Sequence, residues 1–263
     1  MEQIKFNIQD DHRIYVKGYI LDQYPNTHQT HYPTVVIVPG GGFKAIPEAE
    51  AERLCLAYAN KGYNAFYVRY HLLSEVDEPL MPTPLVDVAY AVKTLREHQE
   101  DYHMNGDITL VGFSIGGAIV SQYNGRYNED WLLKEVDATA EQLRPNRIVL
   151  GYPVTSFEKG FPQSQEAALK MAPGIEEANS SRYVGPHCAP VFLWTTWDDN
   201  VVPSMNALHY ATALREKDVP CELHIFDHGH HGLGLATKQT TLDEDPHVAM
   251  WFPLCIDWMN RNA

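Results

Sequence analysis

Three side chains spread over much of the chain could together make an oxygen nucleophile: Ser114, Asp199 and His231. A serine hydroxyl alone attacks poorly. It needs an imidazole to take its proton, an acid to orient that imidazole, and N–H groups to hold the oxyanion formed on attack. Ser114 lies in Gly112-Phe113-Ser114-Ile115-Gly116-Gly117. Asp107 to Val111 before it reads as a short buried strand, and Ala118 to Tyr123 after it as a helix. A serine on so sharp a strand-to-helix turn stands clear of the sheet edge. Gly112 and Gly116 carry no Cβ, so the turn can close, and the Ile115 amide is left at a helix N-terminus facing the place where negative charge would develop. The bare Gly-x-Ser-x-Gly pattern also fits an ordinary flexible turn; the flanking strand and helix favour the chemical reading.

The partners follow in the order acid, then imidazole. Asp198 and Asp199 come just after a predicted strand, Pro190 to Thr196. Carboxylates at the carboxyl end of a parallel strand face the ligand crevice. Asp199 is favoured, with Asp198 as its rival and a plain turn that caps the next helix as the alternative. The base lies in Phe226-Asp227-His228-Gly229-His230-His231-Gly232, after the predicted strand Cys221 to Phe226. Three imidazoles beside Asp227 could instead hold zinc, but they lack His-x-x-x-His spacing and a further ligand group elsewhere, so no metal is expected. His231, next to Gly232 and so able to approach closely, is chosen over His230 and His228. Pro39-Gly40-Gly41-Gly42-Phe43 follows the predicted strand Thr34 to Val38 and exposes backbone N–H groups. The amides of Gly41, Gly42 and Ile115 form the expected oxyanion hole. A phosphate loop would end in Lys-Ser or Lys-Thr, and Phe43-Lys44-Ala45 does not.

Alternating elements must bring these groups together. Ile4, Phe6 and Ile8, then Ile14, Val16, Gly18 and Ile20, alternate as a hairpin turning at Asp10-Asp11-His12; Tyr24 to Tyr32 is polar loop. Further strands are predicted at Asn64 to Tyr70 and Arg147 to Gly151. Helices are predicted from Pro47 to Gly62, from a Thr83 cap to His98, from Ser204 to Lys217, and around Met250 to Trp258 with Pro253 interrupting or restarting the last. Strands alternating with helices mean a mostly parallel twisted sheet, covered on both faces, with an antiparallel edge hairpin: an α/β/α sandwich in a single domain. Residues 152–188 break the alternation and read as a lid or binding insertion, with a short helix from Gln165 to Met171.

A formal net charge of -14 argues against nucleic acid and anionic membrane surfaces as partners. No run of 18 apolar residues spans a membrane, and Met1-Glu2-Gln3-Ile4-Lys5-Phe6 is unlike a signal peptide. Cys55, Cys188, Cys221 and Cys255 are far apart, form no Cys-x-x-Cys and read as buried thiols of a cytoplasmic protein. A homodimer is compatible with the sequence.

Together, Pro39-Gly40-Gly41-Gly42-Phe43, Gly62-Tyr63-Asn64-Ala65-Phe66, the Ser114 motif, Gly151-Tyr152-Pro153-Val154, Asp199-Asn200-Val201-Val202-Pro203 and Gly229-His230-His231-Gly232-Leu233-Gly234-Leu235 resemble the α/β-hydrolase superfamily. Within it the chain is most similar to bacterial acetyl esterases and acetylxylan-esterase-like carboxylesterases, near the hormone-sensitive-lipase type. The family's Asp-x-x-Val-Pro pattern falls on Asp199 and its Gly-x-His-Gly pattern on His231. Pro39 stands where hormone-sensitive-lipase relatives carry His, and Ile115 where Ala is usual, which bears on the acyl pocket. The resemblance implies a serine carboxylesterase that needs no cofactor and acts on short-chain, acetyl-type esters, with sugars as the alcohol. Phe43 and Trp197 are the expected substrate contacts. The alternatives are a prolyl-oligopeptidase-type peptidase, for whose usual gating domain 263 residues leave no room, and a non-catalytic module of the same fold, which would typically lack a triad member.

Overall fold

The computed structural model describes residues 1–24 and 26–262; Pro25, part of the loop expected between Tyr24 and Tyr32, lies outside them. Among the described residues eight strands form one sheet: β1 (Glu2–Asn7), β2 (Tyr15–Ile20), β3 (Tyr32–Val38), β4 (Asn64–Arg69), β5 (Met104–Phe113), β6 (Arg147–Gly151), β7 (Val191–Thr196) and β8 (Cys221–Phe226). Their order is β1-β2-β4-β3-β5-β6-β7-β8. β1 and β2 form the antiparallel hairpin, β2 pairs antiparallel with β4, and every pairing from β4 to β8 is parallel. This is the mostly parallel sheet with an antiparallel edge expected from the alternation, and the architecture that the α/β-hydrolase resemblance implies.

The central strands are apolar on both faces because both faces are covered. Val36, Leu110, Ile148 and Leu193 point into one core. Their neighbours Val35, Val111, Val149 and Phe192 point into the other. The first core is closed by α2 (Thr83–Glu97), α3 (Ile115–Arg126) and α7 (Met205–Glu216), with the short α4 (Asp130–Val136) and α5 (Ala140–Leu143) beside them. The second is closed by α1 (Glu48–Ala59) and α8 (Trp251–Arg261). Thr83 is already helical rather than a cap: Pro82 precedes the first turn and no side chain caps it. Pro253 sits in the first turn of α8, where its missing N–H breaks no helical bond. β5 runs longer than Asp107 to Val111 at both ends.

Residues 152–188 are packed rather than looped out. They hold α6 (Gln165–Met171), and Phe157, Ala168, Met171 and Ala178 reach the first core. Leu80 and Met81 donate backbone hydrogen bonds to the carbonyls of Lys170 and Met171, tying the segment to the start of α2. No helix among the described residues is long and apolar enough to cross a membrane. Cys55, Cys188 and Cys255 are buried and Cys221 is half-buried, all as free thiols.

Candidate active site

The carboxyl ends of β3, β5, β7 and β8 open on one side of the sheet, beside the point where the strand order turns back on itself. Ser114 follows β5 directly and has φ 53° and ψ −122°, a backbone conformation a residue with a Cβ seldom adopts. The turn is held from both sides. The Ser114 amide donates to the Gly151 carbonyl at 3.1 Å, and the Ser114 carbonyl accepts from Gly117 and Val154, each at 2.9 Å. A Cβ on Gly116 would lie 2.1 Å from the Val38 carbonyl oxygen, and one on Gly112 would lie 2.6 Å from the Gly116 carbonyl oxygen. Only glycine lets α3 seat this close to β3 and β5.

The three predicted side chains meet. Ser114 Oγ lies 2.7 Å from His231 Nε2, and His231 Nδ1 lies 2.6 Å from Asp199 Oδ2. An ionised carboxylate only accepts, so Nδ1 carries the proton and Nε2 is free to accept from the serine hydroxyl. The Asp199 side chain is fully buried. Its other oxygen accepts from the amides of Val201 and Val202, both at 2.9 Å, so the Asp-x-Val-Val turn holds the carboxylate that holds the imidazole. The rivals lie elsewhere: His228 pairs with Asp227 and Asp245, and the exposed His230 bonds to the carbonyl of His231.

Gly41 and Gly42 adopt φ values of 105° and 64° directly after β3. Neither amide donates to a protein acceptor among the described residues, and both glycines line the cavity at Ser114. A Cβ on Gly41 would lie 1.9 Å from the Ala45 carbonyl oxygen. Ile115 is the first residue of α3, where the N–H has no partner within the helix.

Ser114, His231, Gly41 and Gly42 line a cavity of about 230 Å3, with Gly40, Pro47, Glu50, Phe113, Tyr152, Phe161, Val201 and Gly232. Phe161 and Val201, with Gly42, also border a wider groove of about 610 Å3 whose walls include Lys44, Gln163, Ser164, Lys170 and Asn200. Phe161 thus brings the 152–188 segment to the boundary between cavity and groove, beside Gly42 and Val201. Neither expected substrate contact lines the cavity. Phe43 is fully buried, its ring edge-on to Tyr70 at 6.2 Å, because the turn folds it under the sheet end rather than over the site. Trp197 is 64% exposed and lies outside both spaces. A larger cavity of about 850 Å3 lies between α1 and α8 and holds none of the triad.

Tyr152 and Glu50 line the site without having been singled out. Tyr152 follows β6 with a φ of 36°, and its ring meets the His231 imidazole at 5.0 Å. Burial pushes the Glu50 carboxyl up to about 7. Tyr152 carries a signal in Gly151-Tyr152-Pro153; Glu50 carries none beyond its place in the acidic first turn of α1.

The comparisons with known proteins agree with this fold. Residues 21–214 match the family model described as BD-FAE. A Lactobacillus plantarum carboxylesterase structure superposes with a TM-score of 0.90 at 28% identity, covering 99% of this chain and 96% of that one. The acetyl ester-xyloside bifunctional hydrolase of Caldicellulosiruptor lactoaceticus gives 0.81 at 28% identity, covering 98% and 96%. Endo-1,4-beta-xylanase B of Butyrivibrio fibrisolvens is 29% identical over 212 residues; these are 78% of this chain, which spans only 33% of that protein's length. By its matched family model and its fold, the chain is an α/β hydrolase of the BD-FAE family.

Proposed function

We propose that this protein is a serine carboxylesterase that hydrolyses short-chain acyl esters, acetyl esters of sugars among them. The relay from Asp199 to His231 to Ser114, at 2.6 and 2.7 Å, carries the reading. Ser114 Oγ attacks the ester carbonyl carbon while His231 Nε2 takes its proton. The oxyanion of the tetrahedral intermediate accepts from the Gly41, Gly42 and Ile115 amides, and Asp199 stabilises the imidazolium. Collapse breaks the bond to the alcohol, which leaves with the proton from His231. A water then attacks the acyl-enzyme, His231 again taking and returning the proton, and the acid departs.

The cavity of about 230 Å3 around Ser114 suits a small acyl group, and the wider, mixed groove beyond Phe161, with Gln163, Ser164 and Asn200 among its walls, has room for a larger hydroxylated alcohol. The names of the Lactobacillus and Caldicellulosiruptor structures point the same way. Ser114→Ala should lower hydrolysis of 4-nitrophenyl acetate by roughly three orders of magnitude or more, the usual cost of losing a triad nucleophile. A variant that keeps most of its rate would place the nucleophile elsewhere. Acetate should be preferred over octanoate, and an X-Pro amide should remain intact; cleavage of the amide would favour the peptidase alternative.

A further inference from the structure

The loop that carries His231 is poorly suited to hold anything still. Gly229, Gly232 and Gly234 all adopt positive φ within six residues, so the backbone around the imidazole has little stiffness of its own. Two pins bracket it. At one end the Thr196 hydroxyl donates to the Gly229 carbonyl at 2.6 Å. At the other the Gly234 amide donates to the Tyr152 hydroxyl at 3.1 Å, and the Gly234 carbonyl accepts from the Trp251 indole at 3.0 Å.

Because the Tyr152 oxygen accepts from Gly234, its own proton must go elsewhere. Glu50 and Tyr152 line the same cavity, and both side chains reach Gly234. The Glu50 carboxyl lies close to the loop: a Cβ added to Gly234 would sit 2.8 Å from Glu50 Oε1. Glu50 has no ion-pair partner among the described residues. The Tyr152 ring in turn packs against His231, Trp194 and Phe113, with centroids at 5.0, 5.1 and 5.6 Å. Its left-handed backbone is an unfavourable conformation for an aromatic residue, one retained where the surroundings over-determine it.

We infer that Glu50 and Tyr152 are positioning residues for the general base: the carboxyl accepts the tyrosine proton, which aims the tyrosine oxygen at the Gly234 amide and holds the His231 loop in register with Ser114. The inference rests on the esterase reading of the site. It assigns the pair to alignment of the imidazole, so the effect belongs in kcat rather than KM. Either protonation state of Glu50 retains an accepting oxygen, and so does a glutamine. Burial that raises its carboxyl to about 7 is the expected consequence of keeping an acid here without a cation.

The test uses the full chain with 4-nitrophenyl acetate, together with the rate at which a fluorophosphonate labels Ser114. Tyr152→Phe and Glu50→Leu should each lower kcat and the labelling rate about tenfold or more, with KM changed by less than about threefold. Glu50→Gln should restore kcat to within about threefold of the parent. The double variant should be no worse than the weaker single one, because both break the same pin. Loss confined to KM would make Glu50 a substrate contact. Additive losses, a glutamine variant as poor as leucine, or singles that match the parent would each overturn the inference. Should Glu50→Leu fail to fold, Tyr152→Phe, which removes one oxygen, gives the same readout. A parent protein that cleaves no ester would instead refute the function on which the inference rests.

Discussion

At the residue scale the site depends on which atom holds which proton. Asp199 is fully buried and gives one oxygen to His231 and the other to two amides, so its charge is committed to a single tautomer of the imidazole. Asp199→Asn keeps the shape but offers a donor where an acceptor is needed. It should lower kcat for 4-nitrophenyl acetate by roughly 10^3 to 10^4 with little change in circular dichroism. Glu50 makes the opposite trade. Its carboxyl rises from an ordinary 4.5 to about 7, with burial as the main cause. Between those values the folded protein keeps a proton that the unfolded chain has released, so stability falls as pH rises from 4.5 to 7 and stays lowered above. Glu50→Gln should therefore match the parent in urea unfolding near pH 4.5 and exceed it at pH 8, by on the order of 3 kcal/mol at most. A group that costs stability where it lines the site is one that function retains.

At the element scale, helices and strands are useful only where they seat. Gly116→Ala puts a methyl 2.1 Å from the Val38 carbonyl, and backbone cannot step aside as a side chain can. It should cost about 2 kcal/mol or more in urea unfolding, and esterase activity with it, since the serine turn moves with α3. α2 is tied to its neighbours by Asp87, which is wholly buried. Asp87 accepts from the His71 amide at 2.8 Å, from His71 Nδ1 at 3.0 Å and from Gln9 at 2.7 Å. The bond to Asp87, with Asp11 and Glu75 nearby, raises the His71 imidazole above its ordinary 6.5. That contribution is fully present below 6.5 and is lost as pH rises through the raised value. Asp87→Asn should therefore destabilise more at pH 5.5 than at pH 8.5, as read from thermal midpoints.

At the scale of the whole molecule, a net charge of -14 acts on whatever approaches. Neutral esters meet no barrier, whereas anionic ones approach against the field. Adding about 0.2 M salt, which shortens the screening length to well below 10 Å, should raise kcat/KM for an aryl ester carrying a free carboxylate. It should leave that for 4-nitrophenyl acetate nearly constant; equal salt effects on both would show that the charge does not reach the site.

Much of this was legible in the chain before it folded. The alternation of apolar runs predicts the layered sheet, and Arg147–Gly151, Gln165–Met171 and Cys221–Phe226 fall where the pattern puts them. The glycine spacing around Ser114, the carboxylate after β7 and the imidazole after β8 were readable too, because each sits in a short window at a strand end. The sequence did not disclose that Phe43 turns under the sheet, that Trp197 stands outside the cavity, or that Phe161 separates a small cavity from a wide groove. Nor did it mark Glu50, and it marked Tyr152 only as part of a motif, without a role. Sterics and periodicity act between near neighbours and leave their trace in local spacing. A cavity, a buried acid and a pinned loop are made by segments that meet only after the sheet closes, so their environment is a property of the assembled molecule alone.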